Sequence, residues 1–386
     1  DHLAALSGET PRWPESTRSI SQLRLSMRVK TGGLIGMVSG PRTLHLDIVD
    51  YPGEWLLDLP LMSQSFADWS ASTLEAAEAP ARAKAAAPWL AELGAADLAK
   101  PLDEAAAQRL GRAFTQFLAE SRDAGLSALA PGRFLLPGDL EGSPALTFSP
   151  LPKPTGRNPS GSLYRAFERR FEAYKRIVVK PFFRDHFARI DCQVVLVDAL
   201  GAINAGPQAV EDLRVAMGAI LESFRPGQNS WLSPLLGKRV EKILFCATKS
   251  DHVHHSQHGR LAAIMEGLVS DARRSANFKG AETEALAIAS LRSTVEETRT
   301  HQGAVLDLVR GRLASTGKDA ALFPGDLPED PAHLLAPARN GKDSWLSQDY
   351  QVMNFAPPLM SLKPGEGPPH IRLDRSAEFL LGDRMS

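Results

Sequence analysis

Thr248, Lys249, Ser250 and Asp251 fit the pattern N/T-K-x-D, directly after the apolar run VEKILFCA at 240–247. Guanine presents N1–H and an exocyclic amine side by side. One carboxylate with two acceptor oxygens takes both in a charge-assisted pair of hydrogen bonds. That is the chemistry expected of Asp251, with the Lys249 stem over the base plane and Thr248 tying the loop to its neighbours. The competing reading is an exposed strand-to-helix turn in which Asp251 caps the next helix. Asp50-x-x-Gly53 ends another strand pattern. In a nucleotide switch such an aspartate reaches Mg2+ through water, and the glycine amide reaches the terminal phosphate, an approach a Cβ would block. Glu54 follows, where a water-positioning side chain is expected. By itself this pattern is an ordinary turn; the two motifs support each other. Ser290, Leu291 and Arg292 end a third apolar run, where backbone amides would face the base oxygen.

His252, His254, His255 and His258 follow the base-binding pattern, but no cysteine or carboxylate spacing completes a metal site, so they read as polar residues near the nucleotide rim. Asp198 ends the run CQVVLVD and is expected to hydrogen-bond the loop after it; Trp55 reads as a packing anchor. The phosphate cradle G-x-x-x-x-G-K-S/T is absent: Gly237-Lys238-Arg239, Gly317-Lys318-Asp319 and Gly341-Lys342-Asp343 all lack the hydroxyl after lysine.

These residues need a scaffold. Residues 22–30 (QLRLSMRVK) and 42–50 (RTLHLDIVD) alternate apolar and polar, which predicts two half-buried strands joined as a hairpin through the glycine-rich 32–40. Residues 192–198, 240–247 and 284–289 are continuous apolar runs of the parallel-strand kind. Helices are expected between them at 207–224 and 256–275, and before them at 162–189, where Ser162 caps and Pro181 kinks. The order predicts one sheet holding all five strands, the last three parallel, with helices on its faces. Ligands of such sheets bind at the carboxyl ends, so Asp50, Gly53, Asp251 and Ser290 are expected around one cleft. From about Ser65 the pattern turns helical and Ala/Leu/Glu-rich, and 130–161 is Pro/Gly-rich. The expected organisation is an α/β domain from 1–64 and 162–303, a helical insertion with linker at 65–161, and an extension at 304–386, partly β (305–313, 320–323) and otherwise irregular.

Composition sets the outer limits. The 386 residues carry 44 Lys+Arg against 45 Asp+Glu, a net charge of −1, so no global basic field draws the chain to nucleic acid or anionic lipid. No apolar stretch reaches the ~18–20 residues of a membrane span. Cys192 and Cys246 lie in apolar runs and read as buried free thiols of a reducing, cytoplasmic compartment.

The segments VDYPGEWLLDLPLM (49–62), VVLVDALGAINAGPQ (194–208), ATKSDHVHHSQHGRL (247–261), ALFPGDLPEDP (321–331) and PPHIRLDRSAEFLLGDR (368–384) resemble the YcjX-like family of bacterial P-loop proteins, over essentially the whole chain. The resemblance implies a Ras-like P-loop NTPase fold carrying a helical insertion. It implies a Mg2+-dependent GTPase that binds GTP and GDP, ATP being the alternative ligand, and a switch role in bacterial stress response. A protein partner is expected, with the inner-membrane periphery as one setting; a non-catalytic scaffold is the remaining alternative. Asp50, Gly53, Thr248, Lys249 and Asp251 match the family motifs, and Thr17 is the candidate for its switch I threonine. Glu54 departs from the glutamine of Ras-like proteins, which implies slow or partner-dependent hydrolysis. The family's cradle precedes the hairpin, which begins here at residue 22 of a sequence opening on Asp1. The cradle and its strand are therefore expected upstream, and this chain is expected to be an N-terminally truncated, impaired form.

Overall fold

The structure is a computed structural model that describes residues 2–29, 41–156, 158–186, 189–223, 240–270, 273–274, 281–301, 303–341, 346, 350–360, 363 and 365–385. The glycine-rich reversal at 32–40, the Gly237-Lys238-Arg239 turn and the Lys342-Asp343 pair lie outside the described residues.

Three parallel strands carry the loops that hold residues 248–251 and 290–292: β3 (Cys192–Val197), β4 (Lys242–Ala247) and β5 (Glu282–Ala287) in the order β3-β4-β5. Cys192 pairs with Lys242 and Val197 with Ala247; Lys242 pairs in turn with Glu282 and Ala247 with Ala287. β4 is buried along its whole length, as expected of a central strand with covered faces. The crossovers contain helices Ala199–Ala205 and Pro207–Ser223 after β3 and His258–Leu268 after β4. The opposite face receives helix Leu373–Met385: Leu373, Phe379 and Leu380 pack on Leu244, Cys246 and Ile288. This helix, and helix Ala332–Arg339, occupy a region that sequence reading left irregular.

The hairpin forms as expected, β1 (Ser21–Val29) antiparallel to β2 (Arg42–Asp50) with Ser21 opposite Asp50. It does not join the parallel strands. Among the described residues it is a separate two-stranded sheet, so the single five-stranded sheet is corrected. Leu23 is 55 % exposed and Ile48 42 % exposed. The alternation selects a face for each apolar side chain, but among the described residues Leu23 and Ile48 are left largely uncovered on that face.

A third sheet is antiparallel: β6 (Thr294–His301), β7 (Ala304–Arg312) and β8 (Asp319–Leu322). Residues 304–312 and 319–322 match the two expected strands of the extension. β6 was not expected, and its pairing with β7 crosses the domain boundary drawn at residue 303. Its polar sequence TVEETRTH has no apolar face to reveal it.

Between β2 and β3 the described chain forms helices joined by irregular segments, with no strand. Helix Phe66–Ala77 is capped by Ser65 Oγ, which accepts from Asp68 N, and helix Glu104–Asp123 by Asp103, which accepts from Ala105 N. Helix Pro80–Ala95 lies between them. Helix Leu163–Tyr174 starts at the Ser162 cap and passes into a π-helical turn, Lys175–Val179, before Lys180–Asp185. Pro181 lacks an N–H and crowds the carbonyl one turn back, and the wider turn just before it relieves both, so the expected kink takes this form. The aromatic side chains interlock: Trp69 stacks on Phe171 at 4.9 Å and Trp89 on Phe117 at 5.1 Å. The Trp89 indole N–H donates to Ser149 Oγ at 2.8 Å, which satisfies a fully buried donor. No helix among the described residues is long and apolar enough to cross a membrane.

Candidate functional site

The carboxyl edge of the parallel sheet is stitched together by Thr248 to Asp251. β3 and β4 stop in register at Val197 and Ala247, so the loop after β4 lies beside the end of β3. Thr248 donates twice to the Val197 carbonyl, from N at 2.9 Å and from Oγ1 at 3.2 Å, tying the loop as expected. Lys249 takes a left-handed conformation (φ 57°), a strained choice for a side chain of this size. Its ammonium donates to Asp198 Oδ2 at 2.6 Å. Asp198 also accepts from Gly201 N at 2.9 Å, which is its expected role at the start of the following helix. Ser250 N donates to the Ile288 carbonyl at 3.0 Å, so one loop binds the ends of all three strands.

Asp251 is 4 % exposed, and its Oδ2 accepts from Ser293 N at 2.8 Å and Ser293 Oγ at 2.6 Å. Thr294 Oγ1 donates to the Asp251 carbonyl. Helix His258–Leu268 begins at Gln257 without a side-chain cap, so Asp251 is not the cap that the bland reading required. Its carboxylate instead reaches across to the loop after β5, with Oδ2 held by two donors. No hydrogen bond to Oδ1 is formed among the described residues.

The serine that meets Asp251 is Ser293, not one of the three residues expected in that loop. Ser290 is exposed, Leu291 is buried, and Arg292 donates its backbone N–H to the Pro369 carbonyl at 2.8 Å and its Nε to the Thr294 carbonyl at 3.1 Å. Sequence reading stopped at the end of the apolar run; the hydroxyls of Ser293 and Thr294 just beyond it were the available signal.

The hairpin end forms a second group. Thr17 Oγ1 donates to Asp50 Oδ2 at 2.9 Å, which brings together the two residues expected at a Mg2+ ion. An exposed hydroxyl and carboxylate are oxygen donors that suit this hard cation. Gly53 is exposed, and a Cβ on it would meet nothing within 4 Å, so there is open space on its side-chain face. Glu54 is half-buried, and its carbonyl lies where a Cβ on Gly132 would fall, at 1.7 Å. Trp55 is the anchor expected: its indole donates to the Leu136 carbonyl at 2.9 Å, and the Arg133 guanidinium lies 3.2 Å from the ring centroid.

The expected single cleft is not drawn together by direct bonds. Among the described residues no hydrogen bond or ion pair links Thr17, Asp50, Gly53 or Glu54 to the 248–251 loop. The hairpin end touches the parallel sheet through Tyr51, whose hydroxyl receives Gln193 Nε2 at 3.4 Å. Two cavities, of about 270 and 460 Å³, are lined by none of Thr17, Asp50, Gly53, Glu54 and residues 248–251; Trp55 and Arg133 are among the residues that line the larger.

Three of the four histidines are buried rather than placed on an open rim. His252 packs edge-on against Phe355 at 5.1 Å between ring centres, and burial lowers its pKa; burial also lowers that of His258. His254 is buried and His255 exposed, and Glu296 of β6 lies against both. A carboxylate is therefore present that local spacing did not supply.

Behind Glu54, Asp58 is buried and accepts from Gly132 N at 2.8 Å and Tyr174 Oη at 2.7 Å. Desolvation raises its pKa to about 7, against the lowering effect of both donors. The unfolded carboxyl titrates near ~4. The folded state therefore holds the extra proton between these values, and unfolding free energy falls as pH rises from about 4 to 7. Asp58→Asn should flatten that segment of a denaturant-derived stability profile, by on the order of a few kcal/mol. An unchanged slope would show that Asp58 is ionised throughout.

A family model described as the YcjX-like family, DUF463, matches residues 1–385. The chain is 36 % identical over 395 aligned residues to the "Ras-like GTPase YcjX" of Escherichia coli (strain K12), covering 99 % of this chain and 82 % of that protein. It is also 36 % identical over 394 residues to the "Ras-like GTPase YcjX" of Shewanella oneidensis (strain MR-1), covering 99 % of this chain and 79 % of that protein.

Proposed function

Because the chain belongs to the YcjX-like family, we propose that it is a guanine-nucleotide-binding protein of the Ras-like GTPase type that works with Mg2+. The observation that carries this reading is Asp251, a buried carboxylate held across the loop by Ser293 and leaving Oδ1 for a base. Asp251 would take guanine N1–H and the amine. Lys249 would lay its stem along the base while Asp198 holds its ammonium, and the amides of 290–292 would face the base oxygen. Asp50 and Thr17 would hold Mg2+, the Gly53 amide would meet the terminal phosphate, and Glu54 would position water. The bound Mg2+ would supply charge neutralisation at the phosphates.

The 386 residues contain no G-x-x-x-x-G-K-S/T. We therefore place the phosphate cradle outside them and assign 65–161 as an insertion in the GTPase unit. The wider setting proposed is a cytoplasmic switch in bacterial stress response, engaging a protein partner that includes the inner-membrane periphery among its locations. It rests on the family resemblance and on free cysteines at 192 and 246.

Competition binding tests the reading. In a chain extended to include a phosphate cradle, with Mg2+ present, unlabelled GDP and GTP should displace a fluorescent guanine nucleotide at least tenfold more effectively than ATP. Equal displacement by ATP would overturn it. The 386-residue chain should bind GTP far more weakly than a chain extended to include a cradle. Micromolar GTP affinity without the extension would mean that another loop holds the phosphates.

A further inference from the structure

We propose that His254, His255 and Glu296 form a site for one divalent transition-metal ion of the zinc class, separate from the Mg2+ of the nucleotide. Their ligand atoms lie within 4.8 Å of one another. Glu296 Oε2 is 2.7 Å from His255 Nδ1 and 3.8 Å from His254 Nε2. Zinc–nitrogen and zinc–oxygen bonds of about 2.0–2.2 Å place neighbouring ligand atoms roughly 3.3–3.6 Å apart, so the first separation opens by roughly 0.6–0.9 Å and the second closes by roughly 0.2–0.5 Å. The exposed His255 ring has room for this shift, its side chain being 66 % exposed, and its exposure leaves a further coordination position to water.

The surrounding contacts favour a cation at this point. Glu296 Oε1 is occupied by His255 N at 3.1 Å and Arg292 Nη2 at 3.3 Å, so the carboxylate is anchored through one oxygen and presents the other to the imidazoles. His254 Nδ1 is backed by Ser256 Oγ at 2.9 Å and Asp307 Oδ2 at 3.4 Å. Ser256 N also donates to Nδ1 at 3.4 Å, so in the ion-free structure Nδ1 is an acceptor and Nε2 carries the proton that faces Glu296 Oε2. An ion bound at Nε2 would displace that proton and turn Nδ1 into a donor to Ser256 Oγ and Asp307 Oδ2, the usual outer support of a metal-bound histidine. Two imidazoles and one carboxylate suit zinc, copper or nickel, whereas Mg2+ prefers oxygen ligands and retained water. The ion would pin the loop that carries Lys249 and Asp251 to β6.

Zinc titration of the metal-free 386-residue chain in the presence of Mg2+, followed by calorimetry, tests the site without reference to nucleotide. Co2+ substitution supplies a visible-absorption readout of its geometry. The expected result is one equivalent bound with Kd of roughly 10 µM or tighter. His255→Ala and Glu296→Gln should each weaken binding at least ~10-fold, and Asp307→Asn, which removes the carboxylate beside His254 Nδ1 while keeping an oxygen for Thr298 Oγ1, ~10-fold. His255 is exposed, so its variant retains the fold, checked by far-ultraviolet circular dichroism. Absence of saturable one-equivalent binding would overturn the proposal. So would unchanged affinity in the His255→Ala/Glu296→Gln double variant, which would place the zinc on others of the 10 histidines. Neither failure bears on guanine binding, and loss of guanine selectivity leaves this site standing.

Discussion

In a chain extended to include the phosphate cradle, Asp251→Asn is expected to weaken GTP binding at least tenfold and to improve binding of xanthosine triphosphate. The carboxylate accepts from guanine N1–H and the amine together. An asparagine offers one acceptor and one donor, so it loses the amine contact and gains one to the exocyclic oxygen of xanthine. Adenine presents an N1 lone pair at the same edge, which would face a buried carboxylate unpaired. That mismatch costs about 1–3 kcal/mol, and each ~1.4 kcal/mol is a factor of ten. Ser293→Ala should have a smaller effect, because Asp251 keeps the Ser293 N–H and loses only the hydroxyl at 2.6 Å. The readout is the ratio of inhibition constants for GTP, ATP and xanthosine triphosphate in one competition assay, so absolute affinity cancels. If the ratios are the same in wild type and Asp251→Asn, the 248–251 loop is a structural tie between strand ends and nothing more.

Asp212→Ala is expected to destabilise the fold by roughly 3–5 kcal/mol. Asp212 lies in helix Pro207–Ser223, and its Oδ1 accepts from Arg82 of helix Pro80–Ala95 at 2.5 Å. Its Oδ2 accepts from Ser127 N at 2.5 Å and Ala128 N at 2.7 Å. Removing the carboxylate leaves a guanidinium, 11 % exposed, and two backbone donors without their acceptor. A lone buried charge is worse than an apolar pair of similar volume, so Arg82→Met with Asp212→Leu should recover the part of the loss that comes from the unpaired guanidinium, while Ser127 N and Ala128 N still lack their acceptor. Urea titration of the wild type and these two variants measures this. A loss below about 1 kcal/mol in Asp212→Ala would mean that water replaces the carboxylate and that the two helices are held by their apolar contacts alone.

Much of the scaffold is legible in local pattern. The largely apolar run at 240–247 is legible because both faces of the central strand Lys242–Ala247 are covered, and that demand falls on consecutive residues; the run at 192–198 reads the same way although Val194 and Leu196 leave one face of β3 exposed. The caps at Ser65, Asp103 and Ser162 are equally local, since a hydroxyl or carboxylate answers an N–H two or three residues ahead. β6 was illegible for the opposite reason: its cohesion comes from backbone pairing with β7, and TVEETRTH contributes no apolar stripe.

The candidate site divides along the same line. The positions of Thr248 to Asp251 and of Asp50 to Gly53 follow from where strands end, and the sequence alone determined that a carboxylate, a lysine and a glycine stand there. Tertiary structure decided what each one touches. Asp251 meets Ser293, 42 residues away, and Glu296 reaches His255 across 41 residues. Neither separation leaves a trace in local spacing. The hairpin shows the limit most clearly. Its alternation determined two strands and their pairing, yet whether they join β3 depends on which surfaces compete to cover Leu23 and Ile48. Periodicity records which face a residue turns to; the partner that covers that face is chosen by the rest of the folded chain.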